Sequence, residues 1–426
     1  MSLKFPEGFM WGCAISAHQV EGNNTNNDWW LWEQQGHTAE PSGRACDHYN
    51  LYEKDFDLAK ELKIQVLRFS IEWSRIEPKE NAWNEKEVEH YRKVLKALHE
   101  RGITPMVTLH HFTNPIWFAE KGAWLNPDSP QIFERYVRHV VEKLGDLIEY
   151  YNTINEPMVV ATMGYYLGVF PPGEKDLAKA LIVARNLLLA HARAYHAIHE
   201  VAREFGFKKP KVAIVKNIII FEPLNPEARG DVSEAQMRDL YFNRAFLDSI
   251  ARGEIVPPFG NNEPVDYLKS TWDFIGLNYY TRMLCSPSVQ ISESGPVPEG
   301  AEITDMGWEV YPEGIYRALM MLKRYGKGVV ITENGIATRD DEQRCRFIVR
   351  HLAQVHRAIK EGVDVRGYLY WSLIDNFEWN HGFSKRFGLI EVDYNTMERK
   401  PRPSAYMFRR IIEYNGVPED LLKKYL

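Results

Sequence analysis

The stretch Tyr150–Val159 reads YYNTINEPMV. Its first half is aromatic and β-branched, the composition of a buried strand. An amide, a carboxylate and a proline then follow in direct succession. Proline has no N–H to give to a ladder, so the strand stops before Pro157, and Glu156 is presented at a strand's C-terminal end. The run GVVITEN, Gly328–Asn334, closes in the same way, with Glu333 followed by Asn334 and Gly335.

Six further runs share this composition: FMWGCAI, QVLRFSI, TPMVTLHH, KVAIVKNIII, WDFIGLNYY and VRGYLYWSL. Between them lie amphipathic stretches such as 84–101, 131–147, 177–205 and 341–361, whose apolar residues recur at three and four. Eight strands alternating with helices, and no long linker, predict one (β/α)8 TIM barrel over residues 1–426, with its active site at the C-terminal ends of the strands. An open, doubly wound sheet is the structural rival, since alternation alone does not show closure. No GxGxxG or Walker A sequence follows any strand, which removes the usual reason for that fold. The segment 289–304, VQISESGPVPEGAEIT, has no periodicity and reads as a rim loop after the sixth strand.

Composition narrows the function. Apolar residues make up 45% and charged residues 26% of the 426, and the net charge of −6 comes without blocks of Lys or Arg, so no nucleic acid or anionic membrane is expected as partner. No stretch is long and apolar enough to span a membrane, and the N-terminal MSLKFPEGFMWG lacks a signal peptide's apolar run. A cytoplasmic enzyme is the expectation, and the sequence leaves open whether it forms a homo-oligomer. The four cysteines, Cys13, Cys46, Cys285 and Cys345, have no zinc spacing and read as buried thiols. His110 and His111 look like a metal pair, but neighbouring strand residues face opposite ways, so one lines the mouth and the other packs outward. His191, His196 and His199 read as surface or groove histidines. No metal and no cofactor is expected.

On a closed barrel, Glu156 and Glu333 meet across the mouth. Two such carboxylates are what glycoside hydrolysis needs, one to protonate the leaving oxygen and one to attack or to activate water. The other strand ends supply Gln19, Arg68, His111, Asn155, Asn278, Tyr280, Trp371, Glu378 and Trp379. These hydrogen-bonding and ring-stacking groups suit a neutral, hydroxyl-rich ligand.

The chain resembles glycoside hydrolase family 1, the retaining β-glycosidases, over nearly its whole length. The resemblance rests on FMWGCAISAHQVEG, LRFSIEWSRIEP, VTLHHFTNPIW, TINEP, FIGLNYYT, ITENG, YLYWSLIDNFEW and RFGLIEVDY. The variants HHFTNP and EGNNTNNDWW look more like the archaeal branch. The resemblance implies Glu156 as acid/base and Glu333 as nucleophile. It implies that Gln19, His111, Asn155, Glu378 and Trp379 hold the non-reducing sugar over Trp371, that Phe387 lines the same subsite, and that Arg68 and Tyr280 contact the nucleophile. Phe112 stands where many bacterial members have Trp, and is expected to point beside the site. The expected substrates are β-glucosides, β-galactosides, related β-glycosides and oligosaccharides, with carboxyl groups about 5 to 5.5 Å apart if the reaction retains configuration. Two rivals are a phospho-β-glycosidase, disfavoured because Glu378 would repel a phosphate, and a catalytically silent sugar-binding scaffold, disfavoured because both glutamates are present.

Overall fold

The computed structural model describes all 426 residues. Eight parallel strands, β1 (Met10–Ala14), β2 (Val66–Ser70), β3 (Thr104–His110), β4 (Tyr150–Asn155), β5 (Lys211–Pro223), β6 (Ile275–Cys285), β7 (Val329–Asn334) and β8 (Val365–Trp371), coincide with the eight apolar runs. β1 pairs with β2 through Gly12 and Val66 on one side and with β8 through Met10 and Gly367 on the other. The sheet therefore closes on itself, and the open-sheet rival is excluded.

The helices begin where capping chemistry starts them. Asn84, Asp176 and Asp340 each accept a backbone N–H from the first turn of Glu85–Glu100, Leu177–Glu204 and Asp341–Lys360, respectively. Ser129–Leu144 starts instead with Pro130 in its first turn. No helix is long and apolar enough to cross a membrane.

Inside the barrel, stepping two residues along a strand moves one layer up. The lower layer is an apolar plug of Val66, Met106, Ala213, Phe274, Val330 and Leu369. Two residues further on, Arg68, Thr108 and Thr332 make an enclosed polar layer, joined by Asn152 above Tyr150 and by Asn278, four residues beyond Phe274. The plug keeps water out from below, so the polar groups above it must satisfy one another.

Two strands break the alternation as they reach the mouth. The register slips between Asn152 and Asn155 in β4 and between Ile331 and Glu333 in β7. Such irregularities turn a side chain to the other face. Thr332 and Glu333, adjacent in sequence, consequently both bond into the interior. Gly335 follows because nothing larger fits: a Cβ there would lie 1.8 Å from the carbonyl oxygen of Trp371.

The rim loop falls where expected, between β6 and Glu313–Lys323, and residues 289–304 lie within it. All four cysteines are free and buried. The histidine expectation fails at His191, which is fully buried. Its Nε2 donates to the Thr271 carbonyl at 2.7 Å and its Nδ1 accepts from the Thr153 hydroxyl at 2.7 Å, tying Leu177–Glu204 to β4. A histidine on the inner face of a helix with two partners is cheap to bury, and helical spacing alone did not identify that face.

Candidate active site

Glu156 ends β4 in the left-handed region, at φ 50° and ψ 62°, and Pro157 opens the short helix Pro157–Ala161. A non-glycine residue there costs on the order of 1–3 kcal/mol, and proline at the first helical position keeps the backbone turned. The Glu156 side chain makes no capping bond to that helix. Its amide donates instead to the Val215 carbonyl of β5 at 2.9 Å, and the carboxylate faces the mouth.

Arg68 organises what lies beneath. Its guanidinium is fully buried and donates from Nε to Asn152 Oδ1 (2.8 Å), from Nη1 to Glu333 Oε1 (2.7 Å) and from Nη2 to Asn155 Oδ1 (2.7 Å). The second oxygen of Glu333 accepts from the Tyr280 hydroxyl at 2.5 Å. Asn155 in turn donates from Nδ2 to Glu156 Oε2 at 3.3 Å. One continuous chain of hydrogen bonds thus runs from Glu333 through Arg68 and Asn155 to Glu156.

The two carboxylates are treated differently. Glu333 has a guanidinium on one oxygen and a phenol on the other. Glu156 has only an amide within bonding distance, and burial, with the charge of Glu333 adding to it, pushes its pKa up to about 8. Glu378 is also held well above the usual carboxylate range, first by burial and then by the charges of Glu293, Glu333 and Glu156.

Both carboxylates open into one cavity of about 680 Å³, whose floor also carries Gln19, His111, Tyr280, Trp371, Glu378, Trp379 and Phe387. Gln19 is fixed by Ser16, which donates to its Oε1 at 2.6 Å, and by its own donation to Asn376 and the Phe377 carbonyl. His111 lies nearly parallel to Trp371 and Trp379, at 6.1 and 6.2 Å. Its Nε2 accepts from the Asn155 amide at 3.2 Å, which places the ring hydrogen on Nδ1, and Nδ1 has no protein partner. Burial keeps the ring neutral, with its pKa well below the ordinary value. His110 packs the other way, edge-on to Trp124, as alternation required.

Arg68, Asn155 and Asn278 lie beneath the floor, fully enclosed. Asn278, read from sequence as a substrate contact, donates to Asn155 at 3.2 Å and accepts from Thr332 at 2.7 Å. Phe112, expected to point beside the site, forms part of the cavity wall and packs on Trp379. Tyr166 lines the cavity, whereas Tyr165 is buried away from it. The sequence reading missed Asn152 and Thr332, and it missed Glu293, which the rim loop brings into the cavity. Polar residues inside apolar strands were a visible signal for the first two. Nothing local marks Glu293.

The model of Glycosyl hydrolase family 1 matches residues 1–417. The chain belongs to this family. Beta-glucosidase A of Acetivibrio thermocellus is 36% identical, over 97% of this chain and 99% of its own length. A beta-galactosidase of Pyrococcus woesei is 32% identical, over 99% of each. The solved beta-glycosidase from Pyrococcus horikoshii superposes with a TM-score of 0.91 at 46% identity, covering 100% of this chain and 98% of that one. This glycosyl hydrolase is accordingly a β-glycosidase, and the archaeal relatives agree with the reading of HHFTNP and EGNNTNNDWW.

The guanidinium clamp has a measurable consequence. Arg68→Met takes the only cation from the buried Glu333 carboxylate and one donor each from the side-chain carbonyls of Asn152 and Asn155, and should cost about 3–5 kcal/mol of stability. In a double-mutant cycle scored by unfolding, adding Glu333→Gln should recover part of that loss. Strictly additive losses would show that the pair is not coupled.

Proposed function

We propose that this β-glycosidase removes terminal non-reducing β-linked sugars with retention of configuration, with Glu333 as nucleophile and Glu156 as acid/base. The observation that carries this reading is the opposite treatment of two carboxylates on one cavity floor. Glu333 is clamped by Arg68 and Tyr280, while Glu156 is desolvated and has no cation on its oxygens.

In the first step Glu333 attacks the anomeric carbon while Glu156 gives its proton to the glycosidic oxygen. The C–O bond to the aglycone breaks and a glycosyl ester forms. The charge of Glu333 is consumed in that ester, so its push on Glu156 disappears, and Glu156 falls toward the ordinary carboxylate range as a base. It then takes a proton from water, whose oxygen attacks the same carbon. The ester bond breaks, and the second inversion restores the β configuration.

Gln19, His111, Glu378 and Trp379 supply hydroxyl contacts, with Trp371 as the platform and Phe387 beside it. Asn155 and Asn278 act from below, by holding Glu156 and Arg68 in place. Glu378 accepts and Trp379 donates, a pairing that serves a fourth hydroxyl in either orientation. Both β-glucosides and β-galactosides are therefore substrates in this reading, in keeping with the two activities that the relatives' names carry.

Above the floor the wall changes character. Met163, Leu181, Ile219, Phe221, Leu240 and Met283 face the space where the leaving group would lie. This wall has little to offer a second sugar and much to offer an aryl or alkyl group.

Proton NMR of the first-formed sugar should show the β anomer, and an α product would overturn the nucleophile assignment. Azide should rescue Glu333→Ala with an α-glycosyl azide and Glu156→Ala with a β-glycosyl azide. Activity should decline as pH rises through about 8, where Glu156 loses its proton. That decline should vanish in Glu156→Gln.

Along a series of alkyl β-glucosides from butyl to octyl, kcat/KM should climb by roughly two- to fourfold per methylene. A flat series, with cellobiose the better substrate, would contradict the apolar aglycone site.

A further inference from the structure

The motif EGNNTNNDWW, Glu21–Trp30, lies outside the barrel strands and runs into the helix Asp28–Gln34. This helix and the segment after it grip the turn that carries Glu378 and Trp379. Trp32 Nε1 donates to the side-chain carbonyl of Asn380 at 3.0 Å, and the Ala39 amide donates to the backbone carbonyl of Asn380 at 2.8 Å. Trp379 needs holding, because it sits in the left-handed region at φ 50°, where a bulky residue is out of place. Rings enclose it from two sides. His111 and Phe112 face the cavity, while His18 and Trp29 stand behind, Trp29 with its ring centre 4.6 Å from that of Trp379.

His18 lies nearly parallel to the indole, with 10° between the planes and 5.8 Å between the centres. Its side chain is fully enclosed, as is that of Glu33. Asn27 Oδ1 accepts the Trp30 amide at 2.8 Å, which turns Nδ2 toward His18 Nδ1 at 3.1 Å. The ring hydrogen is therefore on Nε2, which donates to Glu33 Oε1 at 3.4 Å. Glu33 is fixed in turn by the amide and the hydroxyl of Ser42, at 2.9 and 3.0 Å. Burying a carboxylate with an imidazole costs hydration that a phenyl ring would not lose. What the pair supplies is direction. A phenyl ring could turn or slide on the indole, whereas an imidazole bonded at both nitrogens cannot.

We propose that His18, locked by Glu33 and Asn27, is a positioning residue that sets the angle at which Trp379 presents its indole N–H to a sugar hydroxyl. It acts through Trp379 and touches no substrate. This inference rests on the reading of Trp379 as a sugar contact.

The test is a double-mutant cycle in kcat/KM for nitrophenyl β-glucoside, combining His18→Ala with Trp379→Phe, which removes the indole donor. Each single variant should lose roughly three- to tenfold, the worth of one hydrogen bond. The double variant should lie within about twofold of the lower single, because once the donor is gone its direction no longer matters. With Tyr280→Phe, whose ring packs on Trp308 and Phe387 instead, the losses of His18→Ala should multiply. Should His18→Ala fail to fold, His18→Gln, which keeps a donor for Glu33 but has no ring, makes the same comparison. His18→Phe, a ring without either bond, should share the loss, and full activity in it would show that the lock is idle. An undiminished His18→Ala or His18→Gln variant, or losses that multiply with Trp379→Phe, would overturn the inference, and so would the same shortfall with Tyr280→Phe, the mark of general loosening. A Trp379→Phe variant as active as the wild type would instead remove the sugar-contact reading itself.

Discussion

The site depends on one buried guanidinium. Arg68 enters the barrel from β2 and donates to groups on β4 and β7, so three strands must converge at fixed separation for its bonds to form. The apolar plug below makes this demanding, because no water can serve a donor that misses its acceptor. A planar, permanently charged fork meets three acceptors at once, which a lysine could not. The closed sheet and the site are thereby coupled.

The same constraint explains why the strands end irregularly. Strict alternation would turn only one of Thr332 and Glu333 inward, yet Thr332 supports Asn278 and Glu333 must reach Arg68. The register slip in β7 allows both. In β4 a slip brings Asn155 inward three residues after Asn152, and both amides meet the same guanidinium. The left-handed backbone at Glu156 then turns its carboxylate up into the cavity. The regular strand starts below supply the packing.

The fold was legible because parallel barrel strands are enclosed on both faces and read as nearly unbroken apolar runs. All eight runs became strands, and the caps at Asn84, Asp176 and Asp340 set helix starts close to those the periodicity gave. Residues at strand ends were equally visible, because a carboxylate or amide closing an apolar run has few structural reasons to be there. What period-two reasoning could not supply was any break in the period, so it could not place Asn152 with Asn155, or Thr332 with Glu333. Groups that act from behind the surface were harder still. Asn278 was read as a substrate contact and lies enclosed, bonded to Asn155 and Thr332. His191 faced the barrel, and Glu293 entered the cavity from a loop without local pattern.

The central claim is that Glu333, held on both oxygens by Arg68 and Tyr280, is the group that attacks the anomeric carbon. A fluorosugar substrate with a good leaving group, 2-deoxy-2-fluoro-β-glucosyl fluoride, should slow hydrolysis of the ester more than its formation, so the glycosyl-enzyme accumulates. Mass spectrometry of the inactivated protein should find one sugar per chain, on the peptide carrying Glu333. A label on Glu156, or steady turnover with no adduct, would contradict the account.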